Sequence, residues 1–252
     1  MRLRPFLLAL ACIALFPVCA AAQHMSVGAG IGTDGVTVEL NTSMGRHVSL
    51  RAGYGKAAGI PSYTINHISV PLHPGNADWG SVEVPLQLRL GMHEGHLLFN
   101  IHPGNGPFHF TIGSYLGNAC LINGEFSYLP TDYNTIGIDV DGYLVKAKDG
   151  VLTAAIYAPG FGKGAFAVKP YVGFGFGRAV RADRRMSFSI DIGAQYLGKP
   201  TLWALGEGLT GKTKMVEIPG DAMGNLSDKI SSYTRYLVVW PTIHAHFYVR
   251  LF

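Results

Sequence analysis

Val36-Thr37-Val38-Glu39-Leu40-Asn41-Thr42-Ser43-Met44 is followed, across the short link Gly45-Arg46, by His47-Val48-Ser49-Leu50-Arg51-Ala52-Gly53-Tyr54. In the first run Val36, Val38, Leu40 and Met44 share one parity, and Thr37, Glu39, Asn41 and Ser43 the other. In the second, Val48, Leu50, Ala52 and Tyr54 stand against His47, Ser49, Arg51 and Gly53. Side chains alternate across a strand, so each run reads as a β-strand with one apolar and one polar face. The link between them makes the pair a hairpin. A three-residue turn centred on Gly45 sets Glu39 opposite Arg51, Asn41 opposite Ser49 and Val38 opposite Ala52. Glu39 and Arg51 are then expected to form a cross-strand salt bridge on the polar face.

The same alternation recurs along the chain. Met25 to Ile31 precedes the quoted pair; Leu97 to Ile101, Phe108 to Leu116, Val172 to Phe176, Met186 to Tyr196 and Leu237 to Leu251 follow it. This predicts eight strands. Their connections differ sharply in length. Gly45-Arg46, Pro103-Gly104-Asn105-Gly106-Pro107 and Arg181 to Arg185 are short, whereas residues 56–85, 118–166 and 198–235 are long. Apart from the first link, Thr33-Asp34-Gly35, short turns alternate with long loops, the asymmetry of a transmembrane barrel with the short turns periplasmic. Two further alternating stretches, Val82 to Met92 and a hairpin-like pair around Lys148-Asp149-Gly150 (residues 143–157), are read as extensions above the membrane. Ten wall strands is the alternative count, because the apolar parity switches across His93-Glu94-Gly95-His96.

Composition favours the membrane. Of 252 residues, 48% are hydrophobic and only 14% charged, with 33 glycines; soluble domains average about a quarter charged. The polar face is built mainly of Gly, Ser, Thr, Asn and His, too small and too uncharged for a solvated exterior but suited to a narrow interior. Glu39, Arg51, Asp191, Tyr115, Tyr171, Trp240, His244, His246 and Tyr248 all carry that lumen parity. A secreted lipocalin-like cup, apolar inside and wet outside, is the competing barrel.

Met1 to Ala22 has the form of a signal peptide: Arg2 and Arg4, a short apolar run, then Ala20-Ala21-Ala22 before Gln23. The expected mature domain is 23–252. Without Arg2 and Arg4 the formal charge falls from +4 to +2, an excess too small to point to nucleic acid. Cys12 and Cys19 leave with the leader, so Cys120 stands alone and no internal disulfide is expected.

These features resemble the small outer-membrane β-barrels of Gram-negative bacteria, of the OmpA/OmpX/OmpW size class, and more closely an uncharacterised group of such barrels common in gut anaerobes. The likeness is carried by residues 48–54, by Phe108-His109-Phe110-Thr111-Ile112-Gly113-Ser114-Tyr115-Leu116-Gly117 and by Lys169-Pro170-Tyr171-Val172-Gly173-Phe174-Gly175. The end of the chain, Tyr248-Val249-Arg250-Leu251-Phe252, resembles the C-terminal signal read by barrel-assembly machinery, with Tyr248 and Phe252 as its aromatics. Parity sets Phe252 with the lumen residues, a departure from that signal, as is Arg250. The resemblance implies an all-β, up-and-down antiparallel barrel in the outer membrane, in contact with its lipids and monomeric. It covers the strands and not the long loops.

Other motifs carry less chemistry than their patterns suggest. Gly206-Glu207-Gly208-Leu209-Thr210-Gly211-Lys212-Thr213 fits the phosphate-loop pattern, but Met215 to Ile218 runs into Pro219-Gly220 and leaves no room for the helix such a loop requires. His244 and His246 share a face as two metal ligands could, with no third assignable. Asp139-Val140-Asp141-Gly142 lacks the rest of a calcium loop. Arg178, Arg181, Arg184 and Arg185 crowd one expected periplasmic turn, where they could meet lipid phosphates or acidic cell-wall material. Asn225 to Tyr236 could form a short amphipathic helix at the rim. The function expected is structural or surface-binding, through external loops whose ligand the sequence does not name. Catalysis and cofactors are not expected. The alternatives are a narrow channel, the lipocalin-like binder, and a lipid-modifying enzyme for which His67, Ser69 and Asp78 qualify by location only.

Overall fold

The structure, a computed structural model, describes residues 24–71, 81–127, 135–140, 143–146, 151–181, 183–208, 211–218 and 238–251. The expected leader, the proposed helix at 225–236, Asp78 and Phe252 lie outside the described residues.

The chain moves back and forth between two sheets. It starts with β1 (Met25–Gly32), β2 (Gly35–Ser43) and β3 (Val48–Lys56), then adds β4 (Tyr63–Pro71) and β5 (Ser81–Leu90). It returns through β6 (His93–Ile101) and β7 (Phe108–Asn118), leaves again as β8 (Cys120–Phe126), β9 (Thr135–Val140), β10 (Tyr143–Lys146) and β11 (Leu152–Tyr157), and returns as β12 (Phe166–Gly177) and β13 (Met186–Tyr196). A last departure, β14 (Thr201–Gly208) and β15 (Thr213–Glu217), precedes β16 (Val239–Arg250). The returning strands form a closed antiparallel barrel of eight, ordered β1-β16-β13-β12-β7-β6-β3-β2. The departing strands form a second sheet beyond the long-loop rim, ordered β4-β5-β8-β11-β14-β10-β9, with β15 paired to β14.

Eight is therefore the wall count, and the ten-strand alternative does not form. The parity switch near residue 93 has a plain cause: β5 ends at Leu90, and Gly91-Met92 carries the chain from one sheet to the other. The hairpin expected over 143–157 is corrected. β10 and β11 each pair antiparallel with β14, so they run parallel to each other and cannot pair as a hairpin.

Burial follows the alternation. Along β13, Ile190 and Ile192 are 46% and 44% exposed, while Asp191 between them is 2% exposed. An apolar residue facing out beside a buried charge reverses the soluble pattern and fits a wall set in lipid. The wall's outer face carries Val36, Val38, Leu40, Phe99, Phe110, Ile112, Val172, Phe174, Phe188 and Ile243. Closure leaves no unpaired edge, as a bilayer requires.

The second sheet has an apolar core of its own. Val84, Val145, Leu152, Ala204, Val216 and Ile218 are buried together, with Phe126, Tyr143 and Leu202 against them. A second cluster, Met92, Leu121, Ala158 and Leu197, with Ala57, Ile122 and Trp240, gathers residues from all three long connections. Trp240, read as a lumen filler, is half-buried in this junction.

Candidate functional site: the filled lumen

The register of β2 on β3 departs from expectation. The ladder pairs Asn41 with Arg51, Ser43 with Ser49 and Val38 with Tyr54, and it seats Glu39 opposite Gly53. Met44 donates its N–H to the Val48 carbonyl at 2.8 Å, so the turn is centred on Arg46, one residue later than Gly45. Gly45 takes a positive φ of 89° there. The expected ion pair forms all the same, on the diagonal.

Arg51 donates to both carboxylate oxygens of Glu39, from Nη2 at 2.8 Å and from Nε at 3.1 Å. Its remaining Nη1 donates to Asp191 Oδ1 at 3.1 Å, so one guanidinium on β3 binds carboxylates from β2 and β13. His96 Nε2 lies 3.0 Å from Glu39 Oε1, and Tyr248 donates its hydroxyl to Glu39 Oε2 at 3.3 Å. Asp191 is met by His109 Nε2 at 2.7 Å and by the Ser189 hydroxyl at 3.0 Å. His246 presents a nitrogen to each carboxylate, 3.2 Å from Glu39 and 3.4 Å from Asp191. Two carboxylates face one guanidinium here, and the surrounding ring and hydroxyl donors take up their remaining acceptor positions.

β1 makes this crowding possible. A Cβ at Gly28 would lie 2.2 Å from the Tyr248 ring, and one at Gly30 2.2 Å from the His246 ring. Glycine at successive lumen positions of β1 thus gives β16 the space for its aromatic side chains.

Nearer the long-loop rim a second polar layer forms. Lys169 is fully buried and ion-paired with Glu94, and His244 Nε2 lies 2.6 Å from Asp34 Oδ1. Tyr115 and Tyr171 meet edge to face with Leu98 beside them. Toward the short-turn rim Thr111 donates to Asn100 at 3.0 Å, and His102 and His109 lie with ring centroids 5.2 Å apart. Buried side chains therefore enter the lumen near both rims and between them.

Of the lumen residues read from the sequence, Glu39, Arg51, Tyr115, Tyr171, Asp191, His244, His246 and Tyr248 are buried in this interior, while Trp240 packs instead in the junction with the second sheet. Asp34, Glu94, His96, His109 and Lys169 were not among the lumen residues expected. Their signal was available: continuing the parity of Tyr171 back along β12 reaches Lys169, and continuing that of β6 back from Leu98 reaches His96 and Glu94.

The remaining motifs separate. The phosphate-loop match is the β14–β15 hairpin, with Gly208 donating to the Lys212 carbonyl at 2.9 Å. His244 and His246 turn to different carboxylates, and among the described residues no group of three or more His, Cys, Asp or Glu side chains is placed to hold a metal ion. His67 lies on β4, exposed and 3.3 Å from Glu83; Ser69 is on the same strand. Cys120 is buried and free, and burial pushes its thiol up to about 11.

No protein-family model and no curated protein matches the chain. Among solved structures it is similar to CarO2 of Acinetobacter baumannii, with TM-score 0.46 and 16% identity over 90% of this chain and 98% of that one. CarO of the same organism gives 0.43 and 17%, over 90% and 97%. A major outer membrane protein of Thermus thermophilus gives 0.39 and 13%, over 90% and 98%. Closure of eight antiparallel strands, with an apolar outer face and charged side chains inside, gives this chain the architecture of a membrane-spanning β-barrel.

Proposed function

We propose that this barrel passes no solute through its wall and acts through the sheet carried beyond its long-loop rim, as a structural or surface-binding protein. The observation supporting this is the Arg51–Glu39–Asp191 cluster, which ties three strands together across the lumen. Opening a path there means separating buried ion pairs and leaving their charges uncompensated. The Glu94–Lys169 layer and the apolar junction of Met92, Leu121, Ala158 and Leu197 stand above it. The second sheet, with its own buried core, supplies an ordered surface on which a partner could dock. A closed wall without a free edge supports a monomer, and β16, the strand that meets β1 at closure, is the element assembly machinery would read.

The test is reconstitution of the mature chain in planar bilayers, with lysine biotinylation on intact cells. The expected result is no steady conductance and labelling of Lys212 and Lys214 on the β14–β15 hairpin. A stable ohmic conductance would overturn the closed reading in favour of a narrow channel. Protection of both lysines would overturn the outward placement of the sheet.

A further inference from the structure

The short-turn rim carries a pocket that neither the lumen nor the second sheet uses. The β12–β13 connection contributes Arg178, Arg181 and Arg184, and the wall contributes Met186, Phe188 and Phe247; together they line a space of about 280 Å³. Its floor is lipid-facing wall: Phe188 pairs across the ladder with Phe247, and both are about half exposed. Its upper edge is cationic. Asp183 takes two hydrogen bonds from Arg181, at 3.0 and 2.9 Å, and lies 3.6 Å from Arg184. Arg181 and Arg184 thus share one carboxylate.

The connection is held firmly. Arg178 donates to the carbonyls of Gly106, Arg46 and Gly104 at 3.1, 3.2 and 2.8 Å, tying the three short turns together. Ser26 and Ser187 both donate to the Ala179 carbonyl, at 2.7 and 3.4 Å. Arg178 is thereby fixed as a scaffold, while Arg184, two-thirds exposed, keeps donors directed to solvent.

We propose that this pocket binds an anionic glycerophospholipid of the adjacent leaflet, its phosphate against Arg181 and Arg184 and an acyl chain along Phe188 and Phe247. The charge selects an anion, because guanidinium groups bind phosphate oxygens through paired N–H donors. The floor selects a lipid, because a soluble anion would leave the apolar surface unmatched.

The experiment is native mass spectrometry of the full-length mature protein in detergent with equimolar phosphatidylglycerol and phosphatidylcholine. Wild type is expected to retain phosphatidylglycerol in preference. Arg181→Gln with Arg184→Gln should lower that preference by about fivefold for each arginine removed. Arg46→Gln, on a neighbouring turn, should leave it unchanged. Phe188→Ala should weaken both lipids and keep the preference, so the proposal stays testable if the double variant does not fold. Equal retention of the two lipids by wild type, or an unchanged preference in a double variant that still shows heat-dependent gel mobility, would overturn it. So would displacement of the lipid by an equal concentration of glycerol phosphate, which would mark a site for soluble anions.

Discussion

Arg51 holds Glu39 on a diagonal: the ladder seats Arg51 opposite Asn41, yet its guanidinium reaches along β2 to take both carboxylate oxygens of Glu39. The same group also reaches Asp191 on β13. Removing one partner leaves a buried charge unmatched, whereas removing both leaves Asp191 with its remaining donors, His109, His246 and Ser189. Glu39→Gln and Arg51→Met should each cost about 3–5 kcal/mol, and the double variant less than their sum. A double-mutant cycle of urea unfolding in lipid vesicles measures this. Strict additivity would mean that the pair is not coupled.

That pair also shows how far the sequence could be read. Centring the turn on Gly45 instead of Arg46 moves each partner by two positions. Side chains repeat their face every two residues, so a two-residue error leaves lumen and lipid faces intact. The faces, the strand count and the Glu39–Arg51 contact were therefore legible when the register was not. The second sheet was not legible to the same degree. Its pairings β5–β8 and β11–β14 join different connections, and alternation marks a strand without naming its neighbour. In the same way Glu94 fell in the parity switch and Lys169 just ahead of the alternation read from Val172, so their pairing across β12 and β6 went unseen.

Space in the lumen gives a second prediction. Gly28→Ala places a methyl group against the Tyr248 ring, at 2.2 Å in the present geometry. Overpacking of this kind costs roughly 1–3 kcal/mol. The urea midpoint should fall, and Tyr248→Leu in the same chain should restore part of the loss. A shift that Tyr248→Leu does not reduce would contradict the steric account.

The wall gives a third. Ile190→Arg introduces a charge on the outer face, four residues into β13 from the short-turn rim, and should cost about 2–4 kcal/mol. Arg at Met186, close to the short-turn rim, should cost at most about 1 kcal/mol. Comparison of the two variants by folding into vesicles checks this, and equal costs at both depths would contradict it.

His102, in the turn after β6, predicts a pH dependence. Burial pushes its imidazole down to about 4, with the nearby charges of Arg178 and His109 acting the same way. An unfolded histidine titrates near 6.5, so between about pH 6.5 and 4 the unfolded state binds more protons. This contribution is complete above about pH 6.5 and is lost as pH falls to about 4, to the order of 3 kcal/mol in full. His102→Asn should remove this part of the acid sensitivity. Identical pH profiles of the urea midpoint for the two proteins would contradict it.

The central claim, a wall with its apolar face in lipid and its charges inside, is tested most directly by cysteine scanning along β13 in a Cys120→Ser background. Single cysteines at residues 188 to 192, labelled with an environment-sensitive fluorophore in reconstituted protein, are probed with spin-labelled lipids. Strong quenching is predicted at 188, 190 and 192, and little at 189 and 191. The opposite phase, or no alternation at all, would contradict the membrane barrel and favour a soluble cup with an apolar interior.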